Sequence, residues 1–346
     1  MVAKTISGIS IKAITAALPS GTIGEAEFAA IYGEREVARI VRGTGIGSIR
    51  TAAGMATSDL IVAAAVNLMR GSEIAAGEID GLIVVTQTPD DWSPGCAYAV
   101  HHQLELPTDC VVVDINAGCA GYVSGLIQAA SLVVSGACRN VLLCTGDINT
   151  RLVDDRDHQV RMLFGDAASA TLITVGDEAL QFVSGADGSG RRLLGVNLQY
   201  EKDGGRTGTI SCLKMDGAAV MSFALRRVPE VIDTLLRSQG KGLEDVDLFA
   251  LHQPNRFILD YIRNRLGVAP ERLPVDVDGI GNTNSTSIPL LLSRRHEKGG
   301  EARRNVVMCG FGVGLAWGAL LADLSKTHVL APVEVALEAI QGLAEG

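Results

Sequence analysis

The chain has 346 residues, 47% of them hydrophobic, and a formal net charge of −9. That length can bury a large core, either as one big domain or as two fused halves. The acidic balance disfavours nucleic acid as a partner, and 4% aromatic residues offer no stacking platform for bases. The seven cysteines show no CxxC spacing, which argues against a structural zinc site and against a disulfide framework.

Charged or polar residues interrupt every apolar run before it reaches the length needed to span a membrane. Lys4 and Lys12 are spaced through an Ile-rich segment, so the N-terminus is predicted to be a first strand and not a signal peptide. We therefore expect a cytoplasmic protein with no membrane partner.

The run from Cys110 to Ile115 predicts a short buried strand, and the Ala- and Leu-rich stretch from Tyr122 to Val134 predicts a helix. Cys119 lies between them, among small residues that permit a sharp turn and leave room beside the sulfur. A helix N-terminus lowers the pKa of a nearby thiol and raises its thiolate fraction. Cys119 is therefore a candidate nucleophile, although most intracellular cysteines are simply small buried hydrophobic residues.

Three pairs of segments recur at nearly one offset along the chain, which suggests an internal duplication. The corresponding residues are Asp80 and Asp247, Asn140 and Asn305, and Asp114 and Asp278, the last pair predicted to end strands. Two such halves, residues 1–176 and 177–346, predict an α/β fold with two mostly parallel sheets and a shared helix layer. The active site is expected where the halves meet, at the carboxyl ends of the strands.

In the second half, His252 follows the predicted strand Val246–Leu251 and precedes a predicted helix from Arg256 to Arg265, with Pro254 in the first turn. The helix N-terminus disfavours a cation, so His252 is expected to stay neutral. Alone, it could equally be a satisfied histidine at a strand end.

Two further loops of the second half are candidate parts of the active site. The polar loop 281–289 contains Asn282 and Asn284 and is expected to lie opposite the Cys119 loop by symmetry. The glycine-rich segment 310–314 follows the last predicted core strand and can present backbone N–H groups to an oxyanion. On composition alone, the first could be a capping cluster and the second a plain turn.

Five stretches, in this order, resemble β-ketoacyl-acyl-carrier-protein synthase III and its relatives in the thiolase superfamily. They are residues 114–122, DINAGCAGY; 164–170, FGDAASA; 252–255, HQPN; 281–283, GNT; and 312–318, GVGLAWG. The resemblance extends to about Asp323. It implies a thiolase-like fold, in which the two halves form a five-layered α-β-α-β-α sandwich, with a C-terminal extension after about residue 325.

The resemblance implies that Cys119 takes an acyl group from a thioester and that His252 and Asn282 hold the thioester carbonyl of a malonyl-type extender. Loss of CO2 from that extender drives a Claisen condensation. The backbone N–H groups of Cys119 and Val313 would form the oxyanion hole. Further substrate contacts are expected from Trp92, Phe164, Asn255, Arg256 and Gly312. The substrates would be CoA or phosphopantetheine thioesters, with no metal or other cofactor, an acyl carrier protein as a possible partner, and a homodimer as the assembly.

The chain departs from the family where CoA binds. Arg39 stands in place of a tryptophan that stacks on the adenine, and Gly43 in place of an arginine that holds the nucleotide. A second nucleotide-contacting arginine aligns near His158, and the carrier-docking arginine falls at Phe257, one position after Arg256. These changes favour a specialised relative over a housekeeping acetyl-CoA starter enzyme.

By resemblance, the loop 90–95 reaches across the dimer interface, where Trp92 caps the partner's acyl pocket or is simply an interface aromatic residue. The tail beyond Lys326 is expected to cover an edge or contact a partner. Three other functions remain open: acyl transfer to an alcohol or amine without decarboxylation; a hydroxymethylglutaryl-type synthase, which would need a glutamate base that the sequence does not place; and a silent subunit of a heteromeric condensing enzyme.

Overall fold

The computed structural model describes residues 1–200, 208–210, 212–297 and 304–337. Its helices are α1 (Glu25–Tyr32), α2 (Glu34–Thr44), α3 (Thr57–Ser72), α4 (Cys96–Gln103), α5 (Gly121–Val134), α6 (His158–Arg161), α7 (Gly217–Ser238), α8 (Arg256–Leu266) and α9 (Ser287–Glu297). Its strands are β1 (Lys4–Pro19), β2 (Thr22–Ile23), β3 (Ile49–Arg50), β4 (Gly81–Val85), β5 (Val111–Ile115), β6 (Asn140–Asp147), β7 (Ala167–Ala186), β8 (Leu194–Gly195), β9 (Leu198–Tyr200), β10 (Gly208–Ile210), β11 (Lys214–Met215), β12 (Leu248–Leu251), β13 (Val306–Gly312), β14 (Ala316–Ala322), β15 (His328–Val329) and β16 (Val333–Val335).

The long strand β7 joins the sheets of the two halves by hydrogen bonds, and β1 pairs along it. The strand order is β12-β13-β14-β7-β6-β4-β5, with β1 paired to the side of β7. Strand β7 pairs antiparallel with β6 over its first part and with β14 over its last part. The sheets are therefore mixed, and the expectation of mostly parallel sheets was wrong. The proposed boundary between residues 176 and 177 falls inside β7, where Ile9 pairs with both Val175 and Glu178.

Helices and sheets alternate in five layers. On one side, α3 and α4 pack on the sheet of the first half; on the other, α7 packs on the sheet of the second half, with α8 beside it. Helices α5 and α9 lie between the sheets, and α5 contacts β4 and β6 as well as β13 and β14. Tyr122, Leu126 and Ala129 of α5 are fully buried in this central layer. The prediction of a buried helix from Tyr122 to Val134 is confirmed.

The internal duplication is visible in backbone hydrogen bonds. The Asp80 carboxylate accepts from the N–H groups of Arg139 and Asn140 at 2.8–2.9 Å. Asp247 accepts from the N–H groups of the corresponding residues, 304 and 305, at 3.0 Å. Each aspartate thereby fixes the start of the neighbouring parallel strand, β6 in one half and β13 in the other.

The third pair of the predicted duplication does not hold in detail. Asp114 lies in β5, but Asp278 lies in a turn, and residues 274–277 before it form no strand. The prediction that Asp278 ends a strand was wrong. Its carboxylate instead accepts from the N–H of Gly47 at 2.9 Å.

The strand before Cys119 lies at the edge of the sheet and is not buried. Strand β5 pairs only with β4 in the described part of the chain, and Val111 and Val113 are 36% and 37% exposed. The apolar run predicted burial because Val and Ile are typical of buried strands. Its unpaired edge leaves those apolar residues for another contact.

The described part of the C-terminal extension pairs with β1 and covers its edge. Strands β15 and β16 pair parallel with β1, and Glu334 bonds to Arg50 at 2.7 Å. The expectation that the tail covers an edge is confirmed for residues up to 337, while the rest of the run to Leu343 lies outside the described residues. Among the described residues, no helix is both long and apolar enough to cross a membrane.

Candidate active site

Cys119 lies in a tight loop between β5 and α5, beside the N-cap Ala120. Its side chain is buried, and this burial raises the pKa of the thiol to about 12. Hydrogen bonds from the backbone N–H groups of Val313 and Cys119 act in the opposite direction, to lower the pKa. The predicted net lowering by the helix N-terminus was wrong, because loss of hydration disfavours the thiolate more strongly. The thiol is protonated at neutral pH, so its proton must leave when the sulfur reacts.

The glycines at the end of β13 allow that strand to approach the nucleophile. A Cβ on Gly312 would lie 2.7 Å from both Cβ and Sγ of Cys119, and one on Gly310 would lie 2.8 Å from the Cys119 carbonyl oxygen. The sequence placed Gly310 and Gly312 in a loop after the last core strand, which was wrong: they belong to β13, and β14 follows. This approach brings the Val313 N–H to the sulfur.

His252 directly follows β12, and its N–H donates to the Cys309 carbonyl of β13 at 2.8 Å. Burial lowers the pKa of its imidazole to about 3, so the ring is neutral at physiological pH. The predicted neutral state is confirmed, but burial is its main cause. Nδ1 lies 2.7 Å from Ser287 Oγ, and the ring meets Phe311 edge-on with 5.4 Å between ring centroids.

The helix α8 after His252 begins with a capping residue. The Asn255 side chain accepts from the N–H of Ile258 at 3.0 Å, which makes Asn255 the N-cap. Pro254 therefore precedes the cap and does not lie in the first turn, as the sequence had predicted. Asn255 lines the cavity beside Cys119, but its side-chain oxygen is used to hold α8 in place.

Asn282 is fixed by backbone bonds to the Phe164 segment. Its N–H donates to the Leu163 carbonyl at 2.8 Å, and its carbonyl accepts from Gly165 N–H at 3.1 Å. Its side-chain Oδ1 accepts from Asn284 N–H at 2.9 Å. The amide group is thereby oriented, with its NH2 group left as the donor.

These residues meet at one cavity of about 130 Å³ between the halves. Cys119, His252 and Asn282 line it, as do three of the predicted substrate-binding residues, Phe164, Asn255 and Gly312. Apolar residues form much of the rest, namely Leu194, Met215, Val220, Met221 and Phe257. The loop after β5 supplies Cys119, the carboxyl end of β12 supplies His252, and the loop before α9 supplies Asn282. The site thus lies at strand ends, as expected.

Two predicted substrate-binding residues do not line this cavity. Trp92 is 75% exposed in the loop before α4. Arg256 is exposed, and its side chain lies over Gly45, where a Cβ would come within 2.7 Å of the guanidinium Nε.

Sequence reasoning missed a buried carboxylate near Cys119. Asp147, at the end of β6, accepts from the Gln87 N–H at 2.7 Å and from the Ser285 hydroxyl at 3.1 Å. Burial raises the pKa of this carboxyl to about 7. The Gln87 side chain continues the network to Asn284 at 3.3 Å and to Asn116 at 3.2 Å. The signal available in the sequence was a single acidic residue, Asp147, at the end of the mostly apolar strand β6.

The residues at the expected nucleotide site form a charged cluster on the surface. Arg39 Nε bonds to Glu36 at 3.0 Å, and His158 Nε2 lies 2.9 Å from the same carboxylate. Arg39 and His158, two of the positions that depart from the family, are therefore joined through Glu36, and Arg39 has no aromatic ring to stack on an adenine.

Several solved structures share the architecture of this chain over nearly its whole length. A 3-oxoacyl-(acyl-carrier protein) synthase from Burkholderia xenovorans superposes with a TM-score of 0.89 and 32% identity, over 96% of this chain and 99% of that one. The priming β-ketosynthase of the R1128 polyketide pathway superposes with a TM-score of 0.82 and 29% identity, over 92% and 97%. The fold is thus thiolase-like, and the protein is an acyltransferase of the condensing class.

Sequence comparisons identify the family. Family models described as 3-oxoacyl-[acyl-carrier-protein (ACP)] synthase III match residues 113–188, and the C-terminal model matches 236–324. A β-ketoacyl-[acyl-carrier-protein] synthase III from Rhodopirellula baltica is 33% identical over 344 residues, 91% of this chain and 98% of the relative. The chain belongs to the β-ketoacyl-acyl-carrier-protein synthase III family.

Proposed function

We propose that Cys119 is the acylated nucleophile of a decarboxylative condensation and that His252 and Asn282 serve its second half-reaction. The observation that carries this assignment is the convergence of a thiol, a neutral imidazole and an oriented amide on one cavity. Among the described residues, no group of His, Cys, Asp and Glu side chains could hold a metal ion. The absence of cofactors stays a prediction.

In the first half-reaction, the sulfur attacks an acyl thioester and the donor thiol leaves, taking the proton that Cys119 loses. The new thioester has similar energy, so the acyl group stays activated. The N–H groups of Cys119 and Val313 stabilise the tetrahedral oxyanion. The backbone N–H groups of Val313 and Cys119 near the sulfur, which counteract the rise in its pKa, support this role.

In the second half-reaction, a malonyl-type thioester loses CO2 and leaves an enolate, whose carbon attacks the Cys119 acyl group. Cys119 then departs as the thiolate and the β-ketoacyl thioester is released. A neutral imidazole and the Asn282 NH2 group donate hydrogen bonds to the enolate oxygen, where negative charge develops. Such chemistry needs no strong base, which suits a histidine whose pKa is held near 3.

The substrates we infer are acyl-CoA or acyl-carrier-protein thioesters, the carrier being the one named for the relatives. The Arg39–Glu36–His158 cluster offers charge in place of a stacking ring and supports delivery by a carrier protein over the family's usual CoA pose. Phe257 and Tyr261 are exposed on α8 beside the cavity and would contact that carrier.

We further infer a homodimer in which a second copy pairs along β5. The open edge, with exposed Val111 and Val113, supports this arrangement. Trp92 lies in the loop that leads into α4, the helix packed on β5. Its proposed contact is the acyl pocket of the partner. The cytoplasmic location and the lack of nucleic-acid and membrane partners stay predictions.

Acyl transfer without decarboxylation is the main alternative. It would use the Cys119 thioester but needs a base to deprotonate an alcohol or amine. The low pKa of His252 and the presence of Asn282 favour condensation.

Mass spectrometry of the intact protein after incubation with a panel of acyl-CoA and acyl-carrier thioesters tests the nucleophile. We expect a mass gain that is absent in Cys119→Ala. Adding 14C-carboxyl malonyl thioester should then release labelled CO2. No adduct with any donor would contradict the mechanism, and an adduct without CO2 release would favour plain transfer.

His252→Ala and Asn282→Ala separate the two half-reactions. Each should leave acylation of Cys119 intact and slow condensation by about 100- to 1000-fold, the usual cost of removing one oxyanion donor. Equal loss of both half-reactions would contradict their assignment to the second step.

A further inference from the structure

Asn284 is a buried residue of the second half whose side chain has no part in the mechanism described so far. It follows Asn282 by two residues, and its backbone N–H holds the Asn282 Oδ1 at 2.9 Å. Its φ is 54°, in the left-handed region that residues other than Gly, Asn and Asp rarely adopt. The backbone group that orients the Asn282 amide therefore depends on an unusual conformation at residue 284.

The side chain of Asn284 is anchored in the first half. Its Nδ2 donates to Gln87 Oε1 at 3.3 Å. The same amide lies near the Asp147 carboxylate and counteracts the rise in its pKa. The next residue, Ser285, donates its hydroxyl to that carboxylate at 3.1 Å. The Gln87 backbone N–H in turn donates to Asp147 at 2.7 Å, so the two first-half partners are fixed to each other.

The amides of Gln87 and Asn284 also pack against the loop that carries the thiol. Gly118 directly precedes Cys119, and a Cβ at that position would lie 2.5 Å from Gln87 Oε1 and 2.9 Å from Asn284 Oδ1. The two amides therefore occupy the space that a side chain at residue 118 would need. Asn284 thus contacts the Cys119 loop through its side chain and the Asn282 amide through its backbone.

We propose that Asn284 is a positioning residue whose side chain, held by Gln87 of the first half, fixes the Asn282 amide relative to Cys119. The proposal rests on the proposed function, which assigns Asn282 to the second half-reaction. Asn284 is not among the residues that line the cavity, so it acts through Asn282. The bridge matters because the thioester and its hydrogen-bond donor come from different halves, and an error of about 1 Å between them would lower the rate about 100-fold.

Nuclear magnetic resonance of protein labelled with 15N-asparagine follows the Asn282 amide without any substrate. The Asn282→Asp variant assigns its side-chain NH2 signal. We expect that signal to shift in Asn284→Gly and also in Gln87→Met, which removes the acceptor and keeps a side chain of similar length. Gln87→Met is the sharper test, because the hydrogen bonds connect Gln87 to Asn282 through Asn284. An unchanged signal in Gln87→Met would overturn the proposal.

The two half-reactions separate a positioning role from a general loss of structure. Asn284→Gly keeps the backbone N–H and permits the left-handed conformation, so it removes only the side-chain anchor. We expect it to slow CO2 release at least about tenfold, towards the cost of a 1 Å misplacement. The mass gain on Cys119 should form within about twofold of the wild-type rate, because that step does not use Asn282. Equal loss of both half-reactions would contradict the proposal.

Glu73→Gly is the matched control. Glu73 is exposed at the end of α3, and its φ is also 54°, so glycine makes the same backbone change away from the site. It should leave the Asn282 signal and both half-reactions unchanged. Combining Gln87→Met with Asn284→Gly tests their link: the pair should release CO2 within about twofold of Asn284→Gly alone, because residues that act through one contact are not additive. Losses that multiply would overturn the bridge through Gln87.

Failure of the proposed function and failure of this inference give different results. Wild-type protein that forms no adduct or releases no CO2 would contradict the proposed function, while the Asn282 signal would still show whether Gln87 and Asn284 position the amide. Wild-type protein that condenses normally, with Asn284→Gly equally fast, would overturn the inference alone. If Asn284→Gly does not fold, the signal and the rate of CO2 release in Gln87→Met decide the question.

Discussion

The two halves of this molecule share a scaffold but treat one edge of it differently. In both, an aspartate fixes the start of a parallel strand by accepting two backbone N–H groups. In the first half, β5 extends the sheet and ends it with an open edge. In the second half, the corresponding segment 274–277 forms no strand. The Arg272 carbonyl instead accepts the Phe249 N–H at 2.7 Å, which covers β12.

The two halves therefore share the same backbone scaffold but carry different functional residues. Backbone anchoring is the same in both halves because it holds the strands that carry the site. The loops at the strand ends differ: the first half supplies Cys119, the proposed nucleophile, and the second half supplies His252 and Asn282, the proposed hydrogen-bond donors. Among the described residues, the open edge of β5 lies in the first half, and we propose that a second copy pairs there. Four measurements test this division, beginning with the contacts across the junction.

Asp147 of the first half accepts a hydrogen bond from Ser285 of the second, so its charge state affects the contact between the halves. Burial raises its pKa from 3.8 to about 7, so the folded state binds a proton that the unfolded state has released between these values. Stability should therefore fall as the pH rises from about 4 to about 7, by up to about 4 kcal/mol. Asp147→Asn should flatten this fall in urea unfolding measured across that range.

Asp154→Asn is the control for this pH series. The pKa of Asp154 is lowered to about 2 by its bonds to Arg156, so its removal should not flatten the fall. An Asp147→Asn profile parallel to the wild type between pH 4 and pH 7 would show that the buried carboxyl does not couple to folding.

Gly312 of the second half lies against Cys119 of the first. In Gly312→Ala the new methyl group would lie 2.7 Å from Cys119 Sγ, so the sulfur or β13 must shift. A displacement of about 1 Å at a reacting atom lowers a rate about 100-fold. We expect a loss of this size in the rate of acyl-adduct formation. Gly188→Ala, whose Cβ meets no atom within 4 Å, should acylate normally. Equal rates in the two variants would argue against the close approach.

In the described part of the chain, the open edge formed by β5 belongs to the first half. Lysines on an edge strand prevent pairing, so Val111→Lys with Val113→Lys should weaken the proposed dimer at least about tenfold in sedimentation velocity. Val175→Lys is the control, because this valine is 59% exposed on β7, away from the edge. Dimers that survive the double substitution would place the interface elsewhere.

Because Asp80 and Asp247 make the same backbone contacts, we expect the loss of either one to lower the free energy of unfolding by the same amount. Asp80→Ala and Asp247→Ala each leave two backbone N–H groups without their carboxylate, and each should lower the free energy of unfolding by about 1–3 kcal/mol. Chemical denaturation measures both. A difference beyond about 1 kcal/mol would mean that one half depends on its aspartate more than the other.

The sequence predicted most of the framework, because strand and helix signals are local. The helix from Tyr122 to Val134, the duplication at Asp80 and Asp247, and the neutral His252 are confirmed. Burial of β5 was predicted wrongly, because the sequence pattern of an apolar strand is the same whether its apolar face meets the core or a partner. The missing strand before Asp278 shows that a repeat in sequence need not repeat in structure.

By itself, the sequence determined the alternation of strands and helices, the loops that carry Cys119, His252 and Asn282, and the family to which they belong. These depend on residue types and spacings along the chain. Only the tertiary structure decided that burial sets the pKa values of Cys119 and His252 and brings Ser287 to the imidazole. Hydration and contacts across 35 positions of sequence are properties of the packed molecule, and no local pattern encodes them.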